Sequence, residues 1–140
     1  MPDLLGTFLA RLDETGRFRL PMELAKLFGA EGALCYGEGN YLELYPQEEW
    51  QLLTGGYRKL QLPWPSDIAH QIVTRTGSYR QVFVKGKSRL TIPETHRDHV
   101  GMEPGKDIVI VGVLTHIQLW SVDEYEAEKK KADDRRLFRK

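Results

Sequence analysis

Residues 12–21 read Leu-Asp-Glu-Thr-Gly-Arg-Phe-Arg-Leu-Pro, and the rest of the chain is organised around them. The residues on both sides of the Asp-Glu-Thr-Gly segment alternate with the two-residue period of a β-strand. The segment itself has turn chemistry, because the Asp13 carboxylate can accept hydrogen bonds from backbone N–H groups just ahead of it and Gly16 tolerates a positive φ. The stretch therefore predicts a β-hairpin with Asp13 and Gly16 as structural residues of its tip and with Arg17 and Arg19 on one face.

The same pattern returns 72 residues later, where residues 84–93 read Val-Lys-Gly-Lys-Ser-Arg-Leu-Thr-Ile-Pro. This offset places Arg89 over Arg17 and Pro93 over Pro21, which indicates an internal repeat. Each repeat has about 45 residues, close to the size below which a single core seldom suffices. We therefore expect an α+β fold in which two interlocked β-hairpin/helix repeats share one core and are related by a pseudo-two-fold axis.

The repeat divides the chain into four segments. They are a first repeat over residues 5–49, a helical linker over 50–76, a second repeat over 77–122 and a charged C-terminal helix over 123–140. We expect Pro46 to open a helix that ends near Leu53, because Gly55 and Gly56 follow. Ser66 predicts the N-cap of a second linker helix that reaches about residue 75.

Charge and cysteine content restrict the classes of function. The chain has 20 Lys and Arg against 20 Asp and Glu, so it is not a polycation, yet residues 79–93 contain four basic residues and no acid. A local basic face is therefore compatible with the composition. The single cysteine, Cys35, excludes an intramolecular disulfide and favours a reducing compartment. No apolar run approaches the roughly 18 residues of a membrane span, so we expect a cytoplasmic protein without membrane contact.

Motifs of catalysis and cofactor binding are missing from the sequence. His96 and His99 match no dedicated zinc spacing, and Cys35 lies in an apolar strand as a buried, unreactive thiol would. No glycine-rich phosphate loop follows a predicted strand, and no nucleophile elbow is present. The sequence predicts no metal, no cofactor, no small-molecule substrate and no enzymatic activity.

Basic residues at the two tips are the candidates for nucleic-acid contact, since a β-ribbon can enter the major groove. Two other interpretations remain open: Arg17 braces Asp13 across the first tip, and the lysines of the second tip form a solvated charged surface. Lys side chains suit phosphate better than base edges. The candidate DNA-binding residues are Arg11, Arg17, Arg19, Lys85, Lys87 and Arg89.

The pattern resembles the MraZ family of bacterial transcriptional regulators, which carry two tandem SpoVT/AbrB-type swapped-hairpin repeats. The resemblance covers nearly the whole chain. It is carried by Gly6, Leu12-Asp13, Gly16-Arg17, Leu20-Pro21, Leu44-Tyr45-Pro46, Glu49-Trp50 and Leu119-Trp120. The family's Asp-x-x-x-Arg signature is intact at Asp13 and Arg17. In the second repeat, Lys85 and Ser88 replace the Asp and the Gly, so the two tips are not expected to contact DNA equivalently.

The resemblance implies sequence-specific binding of double-stranded DNA by a ring-shaped homo-oligomer, associated with the nucleoid, at repeated boxes in promoters of cell-division and cell-wall genes. We expect the apolar linker Leu60–Pro65 to lie near the contact between subunits. The alternative is an antitoxin-like module that binds DNA and a partner protein through its C-terminal helix.

Overall fold

The computed structural model describes the backbone of residues 3–138 and the side chains of residues 3–133. Within that range the strands are β1 (Leu4–Arg11), β2 (Arg17–Arg19), β3 (Glu31–Tyr36), β4 (Leu42–Pro46), β5 (Arg80–Phe83), β6 (Arg89–Thr91), β7 (Asp107–Leu114) and β8 (Ile117–Ser121). The helices are α1 (Met22–Phe28), α2 (Gln47–Arg58), α3 (Ser66–Gly77), α4 (Glu94–Val100) and α5 (Val122–Phe138), and a tight turn with positive φ at Lys87 and Ser88 spans Gly86–Ser88.

The sheet topology is symmetric about its centre. Six strands form an antiparallel sheet in the order β1-β7-β8-β4-β3-β5, and β2 pairs with β6 in a separate two-stranded ribbon. The internal repeat relates β1 to β5, β3 to β7 and β4 to β8. A pseudo-two-fold axis therefore passes between β4 and β8, and the chain has the α+β fold of two interlocked repeats that the sequence predicts.

The two repeats exchange strands. Strand β1 pairs along its whole length with β7 of the other repeat, and β5 pairs with β3. In the ribbon, the central pair is Phe18 opposite Leu90. It is flanked by Arg17 opposite Thr91 and by Arg19 opposite Arg89. Beyond the ladder, Ile92 N–H donates to Gly16 O over 2.8 Å and Leu20 N–H donates to Ser88 O over 2.9 Å. Neither repeat is complete without the other, because each leaves strand edges that the other satisfies.

The structure corrects the expected strand partners within residues 12–21 and 84–93. The turns form, with Asp13 N–H donating to Arg17 O over 2.8 Å and Lys85 N–H donating to Arg89 O over 2.8 Å. However, the strands that flank each turn diverge into different sheets instead of forming a ladder with one another. The reason is competition: β1 gains an eight-residue ladder with β7, far longer than the three-residue β2 could offer.

The main core lies between the inner face of the sheet, the β2–β6 ribbon and helices α1 and α4. Leu12, Phe18 and Leu20 are buried there as their alternation predicts, and both repeats contribute. A second, smaller cluster lies on the outer face of the sheet, where α2 places Trp50 over Ala33 and Tyr45. The short α1 and α4 thus hold the ribbon against the sheet, whereas α2 and α3 cover the opposite face.

The predicted end of α2 was wrong. The helix continues through Gly55 and Gly56 to Arg58, and Thr54 Oγ1 donates to Trp50 O over 2.9 Å within it. Leu53 and Tyr57 are half-buried on either side of the glycines, so the packing of α2 outweighs a propensity cost of about 1 kcal/mol per glycine.

Helix α5 begins at a side-chain cap, because Ser121 Oγ accepts the Glu124 N–H over 3.2 Å. The helix is described as far as Phe138; the expectation that it frays before Lys140 falls on residues outside the described range. No helix within the described part of the chain is long and apolar enough to cross a membrane.

Candidate nucleic-acid interface

The first tip, residues 13–16, is built around the Asp13 carboxylate. Its Oδ1 accepts hydrogen bonds from Thr15 N, Thr15 Oγ1 and Arg17 N, each over 2.9 Å. Its Oδ2 accepts a hydrogen bond from Arg17 Nε over 3.0 Å, which restrains the Nε end of the guanidinium group. Gly16 completes the turn at φ 82°, a region that costs L-residues about 1–2 kcal/mol. Arg17 is therefore braced by Asp13, as one interpretation of the sequence holds, and its side chain is still about half exposed.

The hydrogen bonds at the first tip keep Asp13 ionised. The backbone N–H of Arg17 is the largest cause that lowers the pKa of Asp13 far below its ordinary value of 3.8, and the Thr15 hydroxyl and N–H and the Arg17 side chain add to it. A carboxylate that accepts several such bonds is stabilised in its charged form. The Asp13 carboxylate is therefore charged, and able to pair with Arg17, across the physiological pH range.

The β2–β6 ribbon carries unpaired positive charge on its outer face. Arg19 lies directly opposite Arg89, and Arg17, two residues before Arg19, lies on the same face opposite Thr91. Like charges opposite one another destabilise a sheet. Neither Arg19 nor Arg89 has a carboxylate within ion-pairing distance among the residues whose side chains are described. The arrangement is suited to an anion that neutralises both guanidinium groups.

A groove of about 560 Å³ runs between this ribbon and strand β1. It brings together four of the predicted site residues, namely Arg11, Arg17, Arg19 and Arg89. Arg11 is well exposed and lies 4.0 Å from Asp107, a distant contact that leaves its guanidinium accessible. The groove is open and has an apolar floor that includes Phe8 and Phe18.

The second tip, residues 85–88, has a different structure and does not line the groove. Lys85 and Lys87 are exposed, and Lys85 Nζ lies 5.5 Å from the centre of the Phe83 ring. Lys87 and Ser88 have φ values of 61° and 60°, where the first tip needs a positive φ only at Gly16. Position 85 has no carboxylate, and none of the side chains described within residues 3–133 braces Arg89 as Asp13 braces Arg17.

Sequence reasoning missed one basic residue at the first tip. Arg97 on α4 donates from Nε to Ile92 O over 3.0 Å, and its guanidinium packs against Gly16. The signal was present in the internal repeat, where Gly16 corresponds to Ser88 and Arg97 to Ala25, but only the structure shows that the two differences meet in space.

Three buried polar or ionisable groups away from the tips, Glu43, Cys35 and His96, have structural surroundings. Glu43 is buried at 2% exposure and receives two hydrogen bonds from Arg75, Nε to Oε1 over 2.7 Å and Nη2 to Oε2 over 3.2 Å. Burial raises the pKa of the neighbouring Cys35 thiol well above its ordinary value, so this thiol is protonated. His96 is buried and bonded to Ser78 O over 2.8 Å. No cluster of three His, Cys, Asp or Glu side chains that could hold a metal occurs among the described residues.

These features define a two-repeat swapped-hairpin protein whose exposed ribbon and tips carry arginine and lysine. The profile of the family described as "MraZ protein, putative antitoxin-like" matches residues 4–59 and 80–139, one match for each repeat. The chain belongs to the MraZ family.

Curated relatives are similar over most of the chain. The transcriptional regulator MraZ of Syntrophomonas wolfei is 27% identical over 121 residues, which cover 86% of this chain and 82% of that protein. The transcriptional regulator MraZ of Clostridium tetani is 28% identical over 122 residues, covering 87% and 84%. The solution structure of PHS018 from Pyrococcus horikoshii aligns with 81% of this chain and 94% of its own at 18% identity, with a TM-score of 0.38, too low to bear on fold or function.

Proposed function

We propose that this protein is a transcriptional regulator that binds double-stranded DNA sequence-specifically through the β2–β6 ribbon and its two tips. The observation that carries the proposal is the cross-strand pair of Arg19 and Arg89 beside the braced Arg17. Among the side chains of residues 3–133, neither of these two arginines has an acidic partner. Membership of a family whose curated relatives are named transcriptional regulators supports it, and the same names argue against an enzyme.

The two tips have different roles in this proposal. A planar guanidinium can pair bidentately with guanine O6 and N7 in the major groove, which admits a two-stranded ribbon. Arg17 is held by Asp13 and suits this base contact because little orientational freedom remains to be lost. Arg89, Lys85 and Lys87 lack such a brace and suit phosphate, which positions a protein on DNA without reading sequence. Arg11 and Arg19 line the groove that runs between the β2–β6 ribbon and β1.

The test compares Arg17→Ala with Arg89→Ala by titration against the native duplex upstream of the protein's own gene and a scrambled duplex. We expect Arg17→Ala to lose about 1–3 kcal/mol per contact on the native duplex only, because a base contact is removed. Arg89→Ala should weaken binding to both duplexes alike. If Arg17→Ala keeps the wild-type ratio of specific to non-specific affinity while its fold and mass are unchanged, Arg17 is only a brace for Asp13.

Assembly completes the proposal. One protomer presents few base contacts and has zero net charge, so useful affinity requires several protomers on repeated DNA boxes, which raises the effective concentration. We propose a closed homo-oligomeric ring, acting in the cytoplasm at the nucleoid on promoters of cell-division and cell-wall genes, the targets that the family resemblance implies. The exposed Leu60 and Leu62, at 44% and 76%, support a subunit contact near the linker Leu60–Pro65.

The four-segment organisation belongs to the same proposal: residues 5–49 and 77–122 supply the two DNA-contacting halves, 50–76 the assembly linker and 123–140 the C-terminal helix. The start of α5 favours a regulator over an antitoxin-like module. It is capped by Ser121, and the ring centroids of Tyr125 and Trp120 lie 6.1 Å apart. A segment that folds only on a partner protein would not be ordered in this way on its own sheet.

A further inference from the structure

The pseudo-two-fold axis is broken at one pair of positions that meet in space. The first tip has Gly16 and the second has Ser88, whereas the helix residue that faces the first tip is Arg97 and its counterpart in α1 is Ala25. A Cβ at position 16 would lie 2.9 Å from Arg97 Nε and 3.0 Å from Arg97 Cζ. Glycine at the first tip therefore makes room for a guanidinium, and the second tip, with no arginine behind it, has room for serine.

One hydrogen bond ties the Arg97 side chain to the backbone of the first tip. Its Nε donates to Ile92 O over 3.0 Å, and Ile92 N–H in turn donates to Gly16 O over 2.8 Å, so the side chain is tied to the backbone that closes the first tip. It is half-buried, and no carboxylate lies within ion-pairing distance of it among the side chains that the structure describes. A fixed guanidinium whose terminal nitrogens have no acidic partner is available for an external anion.

The charge of residues 12–21, the segment that contains the first tip and Arg17, shows what Arg97 adds. Residues 12–21 contain two acids, Asp13 and Glu14, and two arginines, so their formal charge is zero. Arg17 is moreover engaged with Asp13. Attraction to phosphate depends on positive charge close to the DNA backbone. The segment with the intact signature has no net positive charge, so it does not provide this attraction by itself. Arg97 supplies one positive charge from the other repeat.

We propose that Arg97 is a further DNA-contacting residue, a phosphate contact that the second repeat contributes to the first tip while its packing on Gly16 fixes the turn. The proposal rests on the proposed DNA-binding function. In this arrangement Arg17 contacts a base and Arg97 contacts the adjacent phosphate, so a single tip built from both repeats provides both kinds of contact.

The experiment measures the salt dependence of affinity for the duplex upstream of the protein's own gene, for wild type, Arg97→Gln, Arg97→Lys and the control Lys130→Gln, which removes an exposed positive charge on α5. We expect Arg97→Gln to reduce the slope of log affinity against log salt by about 0.9 for each phosphate that the side chain neutralises. Arg97→Lys should keep the wild-type slope because it keeps the charge, and the control should also keep it. Thermal unfolding establishes that each variant is folded.

A wild-type slope for folded Arg97→Gln overturns the proposal and leaves Arg97 a structural brace. If the affinity of the wild-type protein for DNA does not depend on salt, the proposed DNA-binding function is overturned, and this inference with it. If Arg97→Gln does not fold, the decisive variant is Ala25→Arg combined with Ser88→Gly, which builds the same arrangement at the second tip. Its slope should rise by about 0.9, and an unchanged slope contradicts the proposal.

Discussion

At the scale of the residue, the backbone of the second tip is strained where that of the first is not. Ser88 has a φ of 60° at the position that Gly16 occupies in the first repeat, and an L-residue in this region costs about 1–2 kcal/mol. Ser88→Gly should therefore stabilise the protein by about 1 kcal/mol in denaturant unfolding, less the larger entropy of glycine in the unfolded chain. The matched control, Gly16→Ser, should destabilise because it adds both strain and a clash with Arg97. A lower stability for Ser88→Gly would contradict this account.

Asp13 gives a pH-dependent prediction at the same scale. Its pKa in the folded protein is depressed by hydrogen bonds from Arg17 and Thr15, so its contribution to stability is fully present above the unfolded value of about 3.8 and is lost as the pH falls towards the folded pKa. Asp13→Asn should therefore be less stable than wild type at pH 7, and the difference should shrink below pH 3.8. Urea unfolding at pH 7 and pH 3 tests this, and an equal difference at both pH values would exclude the linkage.

At the scale of the element, a buried ion pair anchors α3 to the sheet. Arg75, 13% exposed, bridges to Glu43 of β4, and its Nη1 also donates to Tyr57 OH of α2 over 3.1 Å. Removing one partner of such a pair costs about 3–5 kcal/mol because the other charge is left buried and unpaired. Arg75→Met should reduce the free energy of unfolding by that amount, and Glu43→Gln combined with Arg75→Met should recover part of it. A reduction below about 1 kcal/mol for Arg75→Met alone would show that water reaches Glu43.

At the scale of the whole molecule, exposed apolar residues predict self-association. The linker Leu60–Pro65 exposes Leu60 and Leu62, and neighbouring helices expose Leu52 and Val73 at 63% and 65%. Light scattering on the native protein should give a mass several times 16.1 kDa, and Leu62→Ser should lower it. A monodisperse monomer at micromolar concentration would refute both the ring and the argument from multiple contacts.

The sequence alone predicted several features that depend on local chemistry, although Ser66 was wrongly predicted as an N-cap: it is the first residue of α3 and makes no capping hydrogen bond. Alternation placed Phe18 and Leu20 in the core and Arg17 and Arg19 outside, and Asp13 with Gly16 predicted the first turn, because side-chain period and turn geometry are properties of a few adjacent residues. The 72-residue offset predicted the shared core, since both halves carry the same pattern and neither is large enough alone. Four of the six predicted site residues line one groove.

Only the tertiary structure decided which groups meet. Alternation states which face of a strand is buried but not which edge it joins, so the partnership of β1 with β7 required the folded chain. Helix α2 continues past Gly55 because its packing outweighs the low helix propensity of glycine. Glu43 and Arg75, which form an ion pair, are 32 positions apart in the sequence. Gly16 and Arg97, which are in contact, are 81 positions apart. No local pattern encodes such distances, because they depend on how both repeats close around one axis.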